Sequence, residues 1–200
     1  MTLWFLVSKY LNNSLKKNLM SVIKNLFRIK ITFFVLILVY SCSKDDPDAV
    51  NQQEYISNVV IEIQSSDGSI QTVDWDISEQ NSQSINLTNN NDYDVEISFL
   101  NKSNPSDIEN VTLEVIEEAS EHQVFYEFAE VSVNVTSADD DTKDGSRGVL
   151  IKSIWNTRTS GSGVVRVYLI HQPTNFEANT REMFGGFNDV AIDIPITIIN

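Results

Sequence analysis

Two histidines and one cysteine are all the imidazole and thiol in this chain of 200 residues. Any metal or nucleophile chemistry must therefore be assembled from very few side chains. His122 ends the run Glu117-Glu118-Ala119-Ser120-Glu121-His122, and His171 lies in Leu169-Ile170-His171-Gln172-Pro173. On a helix, Glu118 and His122 stand four residues apart and meet on one face. Imidazole with carboxylate suits Zn²⁺, with His171 as a third ligand from a neighbouring strand and Glu121 as a spare. The competing reading needs no metal. His122 continues an apolar stripe into the last turn of the same predicted helix, where the helix dipole stabilises a protonated imidazole.

Other chemistry is thinly represented. The sequence has no Gly-x-Ser-x-Gly elbow, P-loop, Gly-x-Gly-x-x-Gly or His-Glu-x-x-His, and no nucleophile stands beside either histidine. The expectation is a protein that is not an enzyme. Asp139, Asp141 and Asp144 precede Gly145 as in a calcium loop, but the third Asp and the Gly each fall one position late, so a solvated turn is the better reading. Trp75, Tyr93, Trp155 and Tyr168 could stack on sugar rings, yet each lies in an alternating run where aromatics pack anyway. The loop Thr174–Phe187 carries Phe176, Phe184 and Phe187 without a strand period and is the more natural contact surface.

The elements that would position these residues are mostly strands. Ile56–Gln64 and Ile70–Ile77 flank Asp67-Gly68 as a hairpin. Ser84–Leu87 is short, and Tyr93–Leu100 alternates Tyr93, Val95, Ile97 and Phe99 on one face. Val131–Thr136, Val149–Trp155, Val164–His171 and Val190–Ile199 follow, with Ser160–Gly163 read as a turn. About eight strands at this spacing predict an antiparallel β-sandwich. One helix, about 106–122, is predicted to pack on it: Ser106 and Glu109 have capping-box spacing, and Ile108, Val111, Val115, Ala119 and His122 form one stripe. Val111, Leu113 and Val115 also alternate, which is the case for a strand there.

Cys42 has a different setting. Ile31–Tyr40 is an apolar run too short to span a bilayer as a helix, preceded by Lys24, Arg28 and Lys30. It ends in Val39-Tyr40-Ser41-Cys42, which resembles a bacterial lipobox. Residues 1–41 are thus expected to be a signal peptide, with Met20 as an alternative start. Cys42 is expected to be the lipid attachment point, 42–53 a lipidated tether and 54–200 a single β-rich domain. Two or more acyl chains anchor stably where one does not. Lys44-Asp45-Asp46 directly after the cysteine resembles the export signal of surface lipoproteins in the Bacteroidota. All 28 acidic residues follow residue 41 but only 8 of the 14 basic ones do, so the processed chain would carry −20. Such a surface is a poor partner for nucleic acid and a better one for cations.

The stretch Glu117–Tyr126, EEASEHQVFY, is similar to a motif in a family of small Bacteroidota lipoproteins. Members also carry Arg-His-x-Pro in a later strand and Gly-Gly-x-x-Asp-Val at the start of the last one. The counterparts here are Ile170-His171-Gln172-Pro173 and Gly185-Gly186-Phe187-Asn188-Asp189-Val190, with Ile170 where the family has Arg. Such proteins are often labelled "type 1 periplasmic binding fold", a two-lobed α/β architecture; one helix among many strands predicts a sandwich instead. The resemblance implies an outer-membrane, cell-surface lipoprotein near a TonB-dependent receptor. The expected function is a non-catalytic binding accessory to nutrient or metal uptake. Glycan binding, adhesion or a structural envelope role are the alternatives.

Overall fold

A computed structural model gives the structure of the protein and describes residues 17–18, 20–24, 55–79 and 81–200. Ile31–Tyr40, Cys42 and the tether, on which the leader and anchor expectations rest, lie outside the described residues. The chain divides into two units, Met1–Gln52 and Gln53–Asn200. In the first, residues 17–18 and 20–24 are helical. The second carries both histidines.

β-branched residues alternate with polar ones through much of the second unit, and an extended chain sends such alternation to opposite faces. Strand β1 (Asn58–Ser65) turns Val59, Ile61 and Ile63 inward, and β4 (Asp92–Asn101) turns Tyr93, Val95, Ile97 and Phe99 inward. With β2 (Ile70–Asp76), β7 (Val133–Ser137) and β10 (Lys152–Thr157) they form a sheet in the order β2-β1-β4-β10-β7; the short β5 (Glu109–Asn110) also pairs with β4. The second sheet, in the order β3-β12-β11-β6, comprises β3 (Ile85–Thr88), β6 (His122–Ala129), β11 (Gly161–His171) and β12 (Phe187–Ile199). Its pairs are antiparallel except β3 with β12. A small hairpin joins β8 (Lys143–Asp144) to β9 (Arg147–Gly148). The architecture is the mostly antiparallel sandwich that the alternation predicts.

The two sheets meet around Trp155. It is fully buried on β10, and Tyr126 and Phe128 of β6 set their rings edge-on to it with centroids at 5.1 Å. Burying side chains of this size contributes about 1.5–3 kcal/mol each. Their polar tips are satisfied: Trp155 Nε1 donates to Ser153 Oγ at 3.1 Å, and Tyr126 Oη donates to the Leu150 carbonyl at 3.3 Å. Burial pushes the Tyr126 phenol far above its usual range, so this ring stays neutral in the core.

The helix expected over 106–122 is much shorter. Only Thr112–Glu117, α1, is helical, with β5 before it and β6 beginning at His122. At the front, the Ser106 amide donates to Asn104 Oδ1 and residues 109–110 pair with β4, so a turn and a strand pairing displace the capping box. Thr112 Oγ1 accepts from the Phe99 amide at 2.8 Å and holds α1 against the end of β4. At the back, His122–Ala129 pairs along β11, and that ladder overrides helical continuation. This adds a strand to the about eight expected, and it moves His122 from a helix turn to a strand. Of Ser160–Gly163, read as a turn, Gly161–Gly163 instead open β11, and glycine at 163 permits the close pairing, since a Cβ there would stand 2.0 Å from the Ala129 carbonyl of β6.

A second short helix, α2 (Arg181–Phe184), leads back into β12 through Gly185 and Gly186. Gly186 has φ +64°, and a Cβ there would lie 2.3 Å from the His171 carbonyl and 2.7 Å from that of Gln172. Backbone closeness, as well as the left-handed conformation, demands glycine. Gly68 has φ +85° with nothing within 4 Å, so alanine there should cost only about 1–2 kcal/mol. Gly186→Ala should cost more, about 2–3 kcal/mol, because two carbonyls must also move. Urea midpoints of the two variants test the difference, and equal losses would contradict the crowding at Gly186.

Candidate metal centre

β6 starts where β11 ends, and the register sets His122 directly opposite His171. Each histidine extends the inward row of its strand, behind Val124 and Tyr126 in β6 and behind Val167 and Leu169 in β11. The rings stack with centroids 4.7 Å apart and 21° between planes. His122 is fully buried and His171 is 9% exposed.

Each ring has one nitrogen toward the turn that follows α1. Glu118 caps α1, with its amide donating to the Glu114 carbonyl, and its own carbonyl accepts from the Glu121 amide at 2.8 Å. His122 Nδ1 lies 3.3 Å from that same Glu118 carbonyl; the carbonyl can only accept, so this nitrogen donates. His171 Nε2 lies 3.7 Å from Glu121 Oε2. Glu121 is held in place by Gln172, whose amide donates to its carbonyl at 2.7 Å and whose side chain donates to Oε2 at 3.1 Å. One donor atom each from Glu118, His122 and His171 lie within 4.8 Å of one another. Of the four residues expected to form a metal site, Glu118, His122 and His171 converge and Glu121 stands beside His171; a turn and two strands bring them together, with no helical i, i+4 pair.

The other nitrogen of each ring is turned to a residue that alternation does not single out. Asp189 Oδ2 lies 3.7 Å from both His122 Nε2 and His171 Nδ1, and its side chain is 4% exposed. The cause is a bulge. Leu169 pairs with Val190 but Ile170 pairs with Asn188, which leaves Asp189 as the extra residue of β12. Strict alternation against the buried Val190 and Ile192 would turn Asp189 outward; a bulge re-aims such a side chain.

Arg147 braces the turn from β9. Its guanidinium donates to the carbonyls of Ala119 at 2.6 Å and His122 at 3.2 Å, and to Gln123 Oε1 at 2.6 Å, and it lies 3.9 Å over the Phe176 ring. The only signal for it in sequence is its rarity among the few basic residues of the acidic domain.

The remaining candidates separate clearly. Trp155 and Tyr93 are buried in the core and offer no free face to a sugar, whereas Trp75, packed against the core, and Tyr168, beside Phe125, are half-buried. In the loop Thr174–Phe187, Phe184 is buried against Phe125 and Phe176 lies under Arg147, while Phe187 is 73% exposed. Asp141 is a structural residue: its carboxylate accepts from Ser137 Oγ and from the Leu150 and Lys152 amides, each at 2.9 Å. A surface cleft of about 410 Å³ across β1, β4 and β10 is lined by Glu62, Asp94, Glu96 and Asp140. There Lys152 is bonded to Asp140 at 2.8 Å, which holds that carboxyl below its ordinary range.

Comparison with family models, curated proteins and solved structures gives no match.

Arg147→Ala should destabilise the domain by about 1.5–3 kcal/mol, the cost of losing charge-assisted hydrogen bonds. Arg147→Lys should recover little, because one ammonium cannot span three acceptors as the guanidinium fork does. Urea unfolding of the two variants checks this, and full rescue by lysine would contradict it.

Proposed function

We propose that this protein is a lipid-anchored, non-catalytic accessory of the outer membrane that binds a divalent transition-metal ion, zinc foremost, beside an uptake receptor. The observation that carries the metal reading is the convergence of donor atoms from Glu118, His122 and His171 within 4.8 Å. Two imidazoles and a carboxylate, with no sulfur, suit zinc better than calcium, magnesium or cuprous copper. Tetrahedral zinc sets its ligand atoms about 3.4 Å apart, so the set must contract on binding, and Glu118 at the end of α1 is the ligand free to swing. Each imidazole lone pair lies in its ring plane, so coordination by both rings also requires the stack to open. The surplus of acidic residues after Cys42 favours cations over anions near the site. The anchor and the surface location rest on the leader, the lipobox-like Val39–Cys42 and the acidic residues that follow.

A second reading has its own observation. His122 Nδ1 donates to a carbonyl and Nε2 faces the Asp189 carboxylate, which is the setting of a buried imidazolium held by a structural ion pair. Calorimetric zinc titration of the domain from Ser43 separates the two. The metal reading expects one saturable site of micromolar affinity or tighter, weakened by more than about tenfold in His122→Ala and in His171→Ala, as removal of a direct ligand requires. No binding heat in a folded domain returns both histidines to the structural role.

For the anchor, Cys42→Ala should move the full chain from the detergent-soluble membrane fraction to the aqueous one, since the acyl chains supply the attachment. Unchanged membrane association of that variant would overturn the lipid attachment.

A further inference from the structure

The orientation of both imidazoles turns on one carboxylate. His122 shows Nδ1 to the Glu118 carbonyl and Nε2 to Asp189; His171 shows Nε2 to Glu121 and Nδ1 to Asp189. Every ring thus has an outer nitrogen toward the Glu118–Glu121 turn and an inner nitrogen toward Asp189. Asp189 Oδ2 is buried and has no hydrogen-bond partner among the described residues. A carboxylate oxygen is not buried this deeply without a compensating group, because isolated buried charge is costly. The groups that surround it are the two inner imidazole nitrogens, each at 3.7 Å, about an ångström beyond a charge-assisted hydrogen bond.

We propose that Asp189 is the positioning residue of this site: its carboxylate takes the inner N–H of each imidazole and so presents both outer nitrogens to a divalent metal ion at the Glu118–Glu121 turn. This deepens the metal reading and rests on it. Metal-bound histidines characteristically donate their second ring N–H to a carboxylate, which fixes tautomer and ring orientation. One residue serves both rings here because the bulge gives it a place between them. His171 must then carry its hydrogen on Nδ1, leaving the Nε2 lone pair for the ion. For His122, the incoming ion replaces the Glu118 carbonyl as the partner of Nδ1. Binding there releases the Nδ1 proton of His122 to solvent and leaves its hydrogen on Nε2, toward Asp189.

The test uses the soluble domain from Ser43 with zinc as the probe, and reads imidazole ¹⁵N shifts in the wild type with zinc bound. Asp189→Asn and Asp189→Leu are followed by calorimetry and by thermal melts that establish folding. The expected results are hydrogen on His171 Nδ1 in the wild type and zinc affinity lowered about 10–100-fold in both variants. A structural contribution alone would lower the melting temperature without moving the tautomer or the affinity of the folded protein. Zinc binding that is equal in wild type and folded variants overturns the role of Asp189 and leaves the metal reading standing. Hydrogen on His171 Nε2 in the zinc-bound wild type overturns it whether or not the variants fold. Absence of zinc binding in the wild type overturns both.

Discussion

The central constraint on this molecule is the register of β11. It is paired along its length with β12 and over Val164–His171 with β6, so it cannot slip by one residue without sending Val165, Val167 and Leu169 out of the core. That register sets His171 opposite His122. It also decides where β12 must take up its extra residue, since the apolar row from Val190 onward has to face the same core. Gly186 allows the returning chain to approach the carbonyls of His171 and Gln172 closely enough for the pairing to continue past the bulge. The apolar core and the polar cluster are therefore fixed by one ladder.

Electrostatics gives that cluster its character. Fully buried imidazole and carboxylate groups are expensive unless they satisfy one another, and removing one partner costs more than the pair contributes. Asp189, His122 and His171 share this burden at one end of the sandwich, and Glu121 faces the same group from the more exposed side. Arg147 adds a guanidinium that donates to carbonyls of the turn, to Gln123 Oε1 and to the Asp144 carboxylate at 3.2 Å, and to none of the acids around the histidines. It shapes the backbone that holds Glu118 and His122, and its own acidic partner is Asp144.

Much of the sandwich is legible because period-two alternation is a direct record of burial. Tyr93, Val95, Ile97 and Phe99 face inward together, as their spacing predicts. The helix is legible only in part. Val111 and Val115 satisfy both a helical stripe and, with Leu113, a strand pattern, and the outcome depends on the pairing of residues 109–110 with β4 and of His122 onward with β11, a partner distant in sequence. A local cap signal at Ser106 cannot compete with those pairings. His122 closes the expected helix and Gln123–Ala129 is assigned to no element, although the aromatic and β-branched content of Val124-Phe125-Tyr126 fits a strand. The meeting of His122 with His171 is nevertheless legible as a candidate, because scarcity of histidine restricts the choice whatever the backbone does.

Asp189 marks the limit of that kind of reading. It stands in a segment whose alternation is clean from Val190 to Ile198, and the same alternation assigns it to the outer face. Its inward turn comes from a mismatch between two strands, which neither strand records alone. A bulge is a property of a pair. The Gly185-Gly186 dipeptide is the nearest sequence signal, since paired glycines before a strand mark a place where two backbones approach and pairing can be irregular. Residues that adjust the electrostatics of a buried site can thus be concealed by the same periodicity that makes the surrounding fold readable. The place to search for them is where a strand changes register, next to the glycines that permit it.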